Sequence, residues 1–131
     1  MTKEMIYEPQ MRKEDFLERG TYKGFSYMVV SYGQHPCCYI EIPQGHKFYR
    51  KDYDSNELRD IDCHGGLTFA DFRDFGDGLN YYIGWDYAHY NDYAGYYMLF
   101  DPQPTIPLKK WTTEEMSNEC KSVIDQIQEC E

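Results

Sequence analysis

Short apolar and aromatic runs alternate with stretches rich in glycine, proline and aspartate along most of the 131-residue chain. Runs of this length and composition are typical of β-strands. They predict four strands, at residues 22–32, 37–42, 61–69 and 81–86, and a short edge strand or aromatic plug at 96–100. Turn residues at 33–36 predict that the first two strands form an antiparallel hairpin. Gly65 and Gly66 predict a bulge within the third strand.

Three stretches between these strands are predicted to lack regular structure. Residues 71–80, rich in aspartate and glycine, predict a turn region, and residues 87–95 predict a loop. The stretch that begins at Pro43 and continues through Asn56 predicts a loop that is long for a domain of this size. Long ordered loops often carry function, so we expect the site to involve these loops.

The C-terminal residues have the clearest helical pattern in the chain. Thr112 and Glu115 have the spacing of a capping box, and Trp111 with Met116 has that of a hydrophobic staple. An apolar stripe follows within an arc of about 100° on a 3.6-residue helix, formed by Met116, Cys120, Val123, Ile124 and Ile127. This stripe predicts contact with the sheet. Residues 14–20, which end at a glycine, predict a turn or two of helix.

Together these elements predict one α+β domain, a mostly antiparallel sheet of four to five strands with one C-terminal helix packed on it. We expect the domain to span residues 21–131 and to follow a polar N-terminal segment at 1–20. The composition is 41% hydrophobic and 18% aromatic, with 14 tyrosines. A chain of this kind can build a single core and is not expected to be disordered.

Charge and cysteine content narrow the possible functions. Lys and Arg total 13 against 23 Asp and Glu, so the formal net charge is −10. This balance opposes direct binding to nucleic acid or to anionic membranes, and it permits a cation site or a basic partner. The five cysteines include no Cys-x-x-Cys pair, the first 20 residues are charged, and no apolar run approaches the length of a membrane span. We therefore expect reduced thiols, no signal peptide and a cytoplasmic location.

Two segments, at residues 62–69 and 83–92, place histidine and carboxylate side chains among glycines and aromatics. If the third and fourth strands are neighbours, these segments meet at one end of the sheet, and the long loop can reach the same place. Candidate general acids and bases are His46, His64 and His89. Candidate ligands of a divalent metal ion are His64, Asp86, His89 and Asp92. Candidate ligand-binding residues are Tyr49, Tyr53, Trp85 and Asp86.

The same residues also fit a structural role, in which buried histidine and aspartate bond each other or backbone amides and so fix the loops. The chain has no compact metal signature such as His-Glu-x-x-His, no phosphate-binding glycine loop and no Gly-x-Ser-x-Gly elbow. Cys63 and His64 are adjacent in a predicted strand and would point to opposite faces, so they form no Cys–His pair. Structural bracing, ligand or partner binding, and metal or acid–base catalysis all stay open.

Three blocks of the sequence follow one another in a recognisable order: Ile42-Pro-x-Gly-His46, His64-Gly-Gly-Leu-Thr-Phe69 and Ile83-Gly-x-Asp-x-Ala-His89 with Asp92. In this order the chain, over about residues 36–128, resembles a family of small uncharacterised proteins encoded by bacteriophages and prophages. In that family the last block more often reads Gly-Phe-Asp-Cys-Ala-His followed by Ala-Gly-Asp, and this chain departs from it at Trp85, Tyr87, Tyr90 and Asn91. The resemblance implies a phage or prophage origin and action in the cytoplasm of a bacterial host. It implies no known activity.

Two functions are therefore expected as alternatives. The first is a non-enzymatic phage accessory protein that binds a host factor or small ligand, with inhibition of a host defence as one form. The second is a small metal-dependent hydrolase that uses the histidines and aspartates named above. The hydrolase requires His64, His89 and a carboxylate around one point in a cleft, whereas the binding protein requires an exposed acidic or aromatic surface.

Overall fold

The computed structural model describes residues 15–31, 36–76, 78–87 and 111–129. Five strands and one helix lie within these ranges: β1 (Asp15–Tyr22), β2 (Phe25–Ser31), β3 (Pro36–Glu41), β4 (Phe69–Asp74), β5 (Leu79–Asp86) and α1 (Thr113–Glu129). The strands form one antiparallel sheet in the order β1-β2-β3-β5-β4. The predicted α+β class, with a C-terminal helix packed on an antiparallel sheet, is confirmed.

The first strand lies where the sequence predicted helix. β1 pairs with β2 along its whole length, from Asp15 opposite Ser31 to Tyr22 opposite Phe25. The two are joined by Lys23 (φ 51°) and Gly24 (φ 85°), and positive φ at both positions is typical of the two-residue turn that suits a twisted hairpin. The helix predicted at 14–20 is wrong because pairing with β2 overrides the local tendency. The domain boundary predicted after residue 20 falls inside β1.

A β-bulge lies between Phe16 and Glu18. The extra residue turns Phe16 to the side of the sheet away from α1 and Glu18 to the side that faces it. There Glu18 accepts hydrogen bonds from the hydroxyls of Ser117 on α1 (2.7 Å) and of Tyr27 on β2 (3.1 Å). A half-buried carboxylate thus ties the edge strand to the helix.

Of the strand predicted at 61–69, only the last residue, Phe69, belongs to a strand in the structure. Residues 61–68 are loop and turn, and β4 begins at Phe69 and extends into the stretch predicted as a turn region. The reason lies in Gly65 (φ 72°) and Gly66 (φ 84°), which adopt left-handed conformations that no extended strand contains. The amide of Gly66 donates to the carbonyl of Cys63 (2.9 Å) and closes a turn.

The remaining strands place the candidate site. The hairpin of β2 and β3 forms as predicted, and β5 inserts between β3 and β4 with Gly84 opposite Tyr39. A Cβ atom on Gly84 would lie 2.6 Å from the carbonyl oxygen of Cys38 and 2.7 Å from the Tyr39 ring, so this close approach of two strands requires glycine.

The sheet has an apolar cluster on each face. The cluster on the face that contacts α1 includes residues from the helix and from the long segment 42–67, among them Ile42, Phe48, Leu58, Trp85, Tyr87, Cys120 and Ile124. The cluster on the other face is formed by Met28, Val30, Cys37, Tyr39, Phe75 and Tyr82, with Phe16 and Phe69 packed against it. The helix packs over β1, β2 and β3.

The helix begins as the sequence predicts. Thr112 Oγ1 accepts from the amide of Glu115 (3.1 Å), and Glu115 Oε1 accepts from the amide of Thr112 (3.0 Å), which completes the capping box. The predicted stripe is buried along the length of the helix. In the described part of the chain, no helix is long and apolar enough to cross a membrane.

Candidate functional site

His64 lies in the loop before β4, beside the first half of α1. Its ring stacks on Tyr87, with centroids 4.7 Å apart and planes at 7°, and meets the ring of Trp111 at 4.9 Å. The backbone amide of His64 donates to Glu119 Oε2 at 2.8 Å. The His-Gly-Gly motif therefore forms a turn that lays the imidazole against two aromatic rings.

A chain of hydrogen bonds joins β5 to α1 next to this turn. The indole N–H of Trp85 donates to the hydroxyl of Tyr87 (3.1 Å), which donates to Glu119 Oε1 (2.5 Å). Burial, the neighbouring Cys38 thiol and the bond to Glu119 raise the pKa of the Tyr87 phenol, so it keeps its proton at neutral pH. Both oxygens of Glu119 are thus acceptors for defined donors.

A second polar residue of α1 holds the same loop. Gln126 Oε1 accepts from the amide of Asp62 (2.7 Å), and Gln126 Nε2 donates to the carbonyl of Asp62 (2.9 Å). Together with the bond that the His64 amide donates to Glu119, these contacts fasten residues 62–64 to the helix. In the described residues, the backbone at the start of the first candidate motif therefore contacts two polar side chains of α1.

His46 lies in the loop after β3 and is 9% exposed. Its Nδ1 accepts from the amide of Phe48 (3.0 Å), and its ring packs against Phe25 and Phe48 with centroids 5.9 and 5.0 Å away. A neutral imidazole that accepts at Nδ1 carries its proton on Nε2. With Pro43, Gly45 and Lys47, His46 lines an open cavity of about 430 Å³, and none of the other described candidate residues lines it.

Asp86 lies on the opposite side of the sheet from the ring of His64. Successive residues of a strand point to opposite faces, so Trp85 and Tyr87 face α1 while Asp86, paired with Cys37, faces the other cluster. Asp86 Oδ2 accepts from the hydroxyl of Thr68 at 3.3 Å. Because His64 stacks on Tyr87, the sheet separates its imidazole from the Asp86 carboxylate.

The predicted metal centre requires several of these side chains to lie around one point. Within residues 15–31, 36–76, 78–87 and 111–129, no three His, Cys, Asp or Glu side chains come together in a way that could hold a metal ion. His89 and Asp92, the other two proposed ligands, lie outside the described residues. The metal centre and the acid–base role of His46, His64 and His89 therefore stay predictions.

The predicted ligand-binding residues differ widely in exposure. Trp85 is only 1% exposed and belongs to the core. Tyr49 is half-buried and packs against Phe72 and Tyr81, with centroids 5.9 and 5.6 Å away. Tyr53 is 47% exposed. Of these side chains, Tyr53 is best placed to contact a partner.

The sequence pattern did not identify Glu119 and Gln126 as site residues. They lie within the C-terminal helix, which was interpreted only through its apolar stripe. They are seven positions apart, so they lie on the same flank of that stripe. Two polar residues with this spacing beside a buried stripe are a signal that could have identified them. Their target, the backbone at 62–64, could not be read from the sequence.

No family model, curated protein or solved structure matches this chain. The class of this protein is given by its structure alone: it is an α+β protein with a five-stranded antiparallel sheet and a C-terminal helix. The resemblance to phage proteins stays a prediction carried by its motif residues.

Proposed function

We propose that this chain is a non-enzymatic accessory protein of phage or prophage origin that binds a basic protein of the bacterial host. The binding surface is the segment 52–62, called here the acidic segment. It carries five carboxylates and one cation, and its exposed acidic residues are Asp52, Asp54, Glu57, Asp60 and Asp62. A surface of this charge attracts and orients a basic partner over several ångströms of approach.

One observation carries the proposal: the acidic side chains of this segment are exposed, while its apolar side chains and both of its ends are held by the rest of the fold. Leu58 and Ile61 are buried in the core at 1% and 8% exposure. The Tyr81 hydroxyl donates to the carbonyl of Lys51 just before the segment, and Gln126 forms two bonds with the backbone of Asp62 at its end. A loop fixed in this way loses little conformational freedom on binding, so more of the contact energy contributes to affinity.

The aromatic content of this region supports the same proposal. Tyr53 lies between Asp52 and Asp54 and presents an exposed ring. Tyrosine is enriched at protein interfaces because its ring offers apolar area and its hydroxyl a hydrogen bond. The described histidines, in contrast, have their contacts inside the fold: the His46 Nδ1 accepts from a backbone amide, and the His64 ring stacks on Tyr87.

The test compares two double variants of equal charge change in crosslinked capture from a bacterial lysate. The first removes two exposed carboxylates of the acidic segment (Asp52→Asn with Asp54→Asn). The matched control removes two exposed carboxylates from the ends of α1 (Glu114→Gln with Glu129→Gln). We expect basic proteins captured by the wild type and by the control to be lost with the first variant.

A captured protein is then purified and titrated against all three forms at increasing salt. Binding that weakens with salt and that falls about tenfold or more in the acidic-segment variant supports the proposal. Equal binding by both variants, or a partner without basic character, contradicts it.

A further inference from the structure

β4 forms one edge of the sheet, and no strand in the described ranges pairs with its outer side. Its pairing with β5 is continuous from Phe69 opposite Gly84 to Asp74 opposite Leu79, without a register shift. The other edge, β1, carries a bulge, which is a common device that keeps an edge strand from accepting another strand. β4 is therefore the more regular edge.

The bonding groups on the outer side of β4 can be assigned from one contact. The amide of Phe72 donates to the carboxylate of its neighbour Asp71 (2.7 Å) and not to β5, so it points away from the sheet. Because bonding directions alternate along a strand, the amides and carbonyls of Ala70, Phe72 and Asp74 share this outer side. Within the described residues, the Asp71 carboxylate occupies the amide of Phe72 through this short contact.

The sequence of β4 is self-complementary about Phe72. When two copies are related by a two-fold axis perpendicular to the sheet, the same face of each sheet points to the same side. The axis must then pass between one residue and the equivalent residue of the second copy. An axis at Phe72 places Asp71 directly opposite Arg73 of the second copy, twice, and brings the two Phe72 rings together. An axis at Asp71 or at Arg73 would instead place like charges opposite each other.

This register also fits the backbone. Phe72 lies opposite Phe72 of the second copy as a hydrogen-bonded pair, and Ala70 lies opposite Asp74 of the second copy in the same way. Asp71 and Arg73 then form non-hydrogen-bonded pairs, in which opposing side chains are closest and opposite charges stabilise the most. We infer that two copies of this chain associate through β4, antiparallel about Phe72, so that the sheet continues from one copy into the other.

The test is a charge exchange read by analytical ultracentrifugation over a wide concentration range. Asp71→Arg and Arg73→Asp each place two like-charge pairs across the interface, and we expect each to raise the dissociation constant of the dimer about tenfold or more. The double variant restores opposite charges in exchanged positions, and we expect a dissociation constant within about threefold of the wild type. Glu114→Arg, at an exposed position of α1, is the control for the charge change of Asp71→Arg.

Amide exchange measured by NMR shows which edge is used. The amides of Ala70 and Asp74 should become protected as the wild type dimerises, and circular dichroism checks that each variant is folded. Recovery in the double variant excludes misfolding as the cause of the single-variant losses. A monomer at every concentration, a dimer unaffected by the single changes, or single losses that the double variant does not reverse would each overturn the inference.

Discussion

Replacement of Glu119 by glutamine tests whether its carboxylate fastens the His-Gly-Gly turn to α1. Glu119 accepts from the Tyr87 hydroxyl at Oε1 and from the His64 amide at Oε2. Glutamine has the same shape but only one acceptor oxygen, because its other terminal group is an NH₂ donor. In either orientation, therefore, one of the two donors loses its acceptor.

The expected magnitude follows from the kind of bond that is lost. A hydrogen bond to a charged group contributes about 1.5–3 kcal/mol, and a donor left without a partner in a half-buried place costs a similar amount. We therefore expect Glu119→Gln to lower the free energy of unfolding by about 2 kcal/mol. Loss of one negative charge from a chain of net charge −10 acts in the opposite direction, so a charge-matched control is needed.

The assay is urea unfolding followed by tryptophan fluorescence, because Trp85 and Trp111 both lie at this contact. Glu114→Gln, on an exposed position of the same helix, is the control. A double-mutant cycle with Tyr87→Phe should give a coupling energy of about 1 kcal/mol or more. If the free energies of unfolding of Glu119→Gln and Glu114→Gln lie within about 0.5 kcal/mol of each other, the Glu119 carboxylate does not fasten the turn, and this role is refuted.

Three other outcomes are expected. Gly84→Ala should unfold at much lower urea concentration, since its Cβ would lie 2.6 Å from the Cys38 carbonyl oxygen; a midpoint like that of the wild type would contradict the close strand approach. Burial raises the pKa of the Cys63 thiol from 9.0 to about 12, so the stability linked to its protonated form is present below pH 9 and is lost as the pH rises towards 12; the urea midpoint of the wild type should therefore fall relative to that of Cys63→Ala across this range, and a constant difference between the two would contradict the raised pKa. Elemental analysis of untagged protein after incubation with zinc and manganese tests the predicted metal centre: metal lost in the His64→Ala, His89→Ala double variant would support the hydrolase, and no metal in either sample would refute it.

Local patterns determined those parts of the fold that depend on neighbours in sequence. The capping box at Thr112 and the buried stripe of α1 form as predicted because a helix is built from contacts three and four residues apart. The antiparallel pairing of β2 with β3 forms as predicted because the two apolar runs are adjacent in the sequence. The acidic charge was likewise a property of composition alone.

Tertiary structure decided what depends on distant partners. β1 is a strand because β2 lies beside it, although residues 14–20 alone favoured a turn of helix. Strand alternation at Trp85 and Asp86 had been visible in the sequence, but only the docking of His64 on Tyr87 showed that its ring and the Asp86 carboxylate lie on opposite faces. The two contacts of α1 with the loop, through Glu119 and Gln126, join residues far apart in the chain. Such contacts depend on how the helix is placed on the sheet, and no periodicity within either segment records that placement.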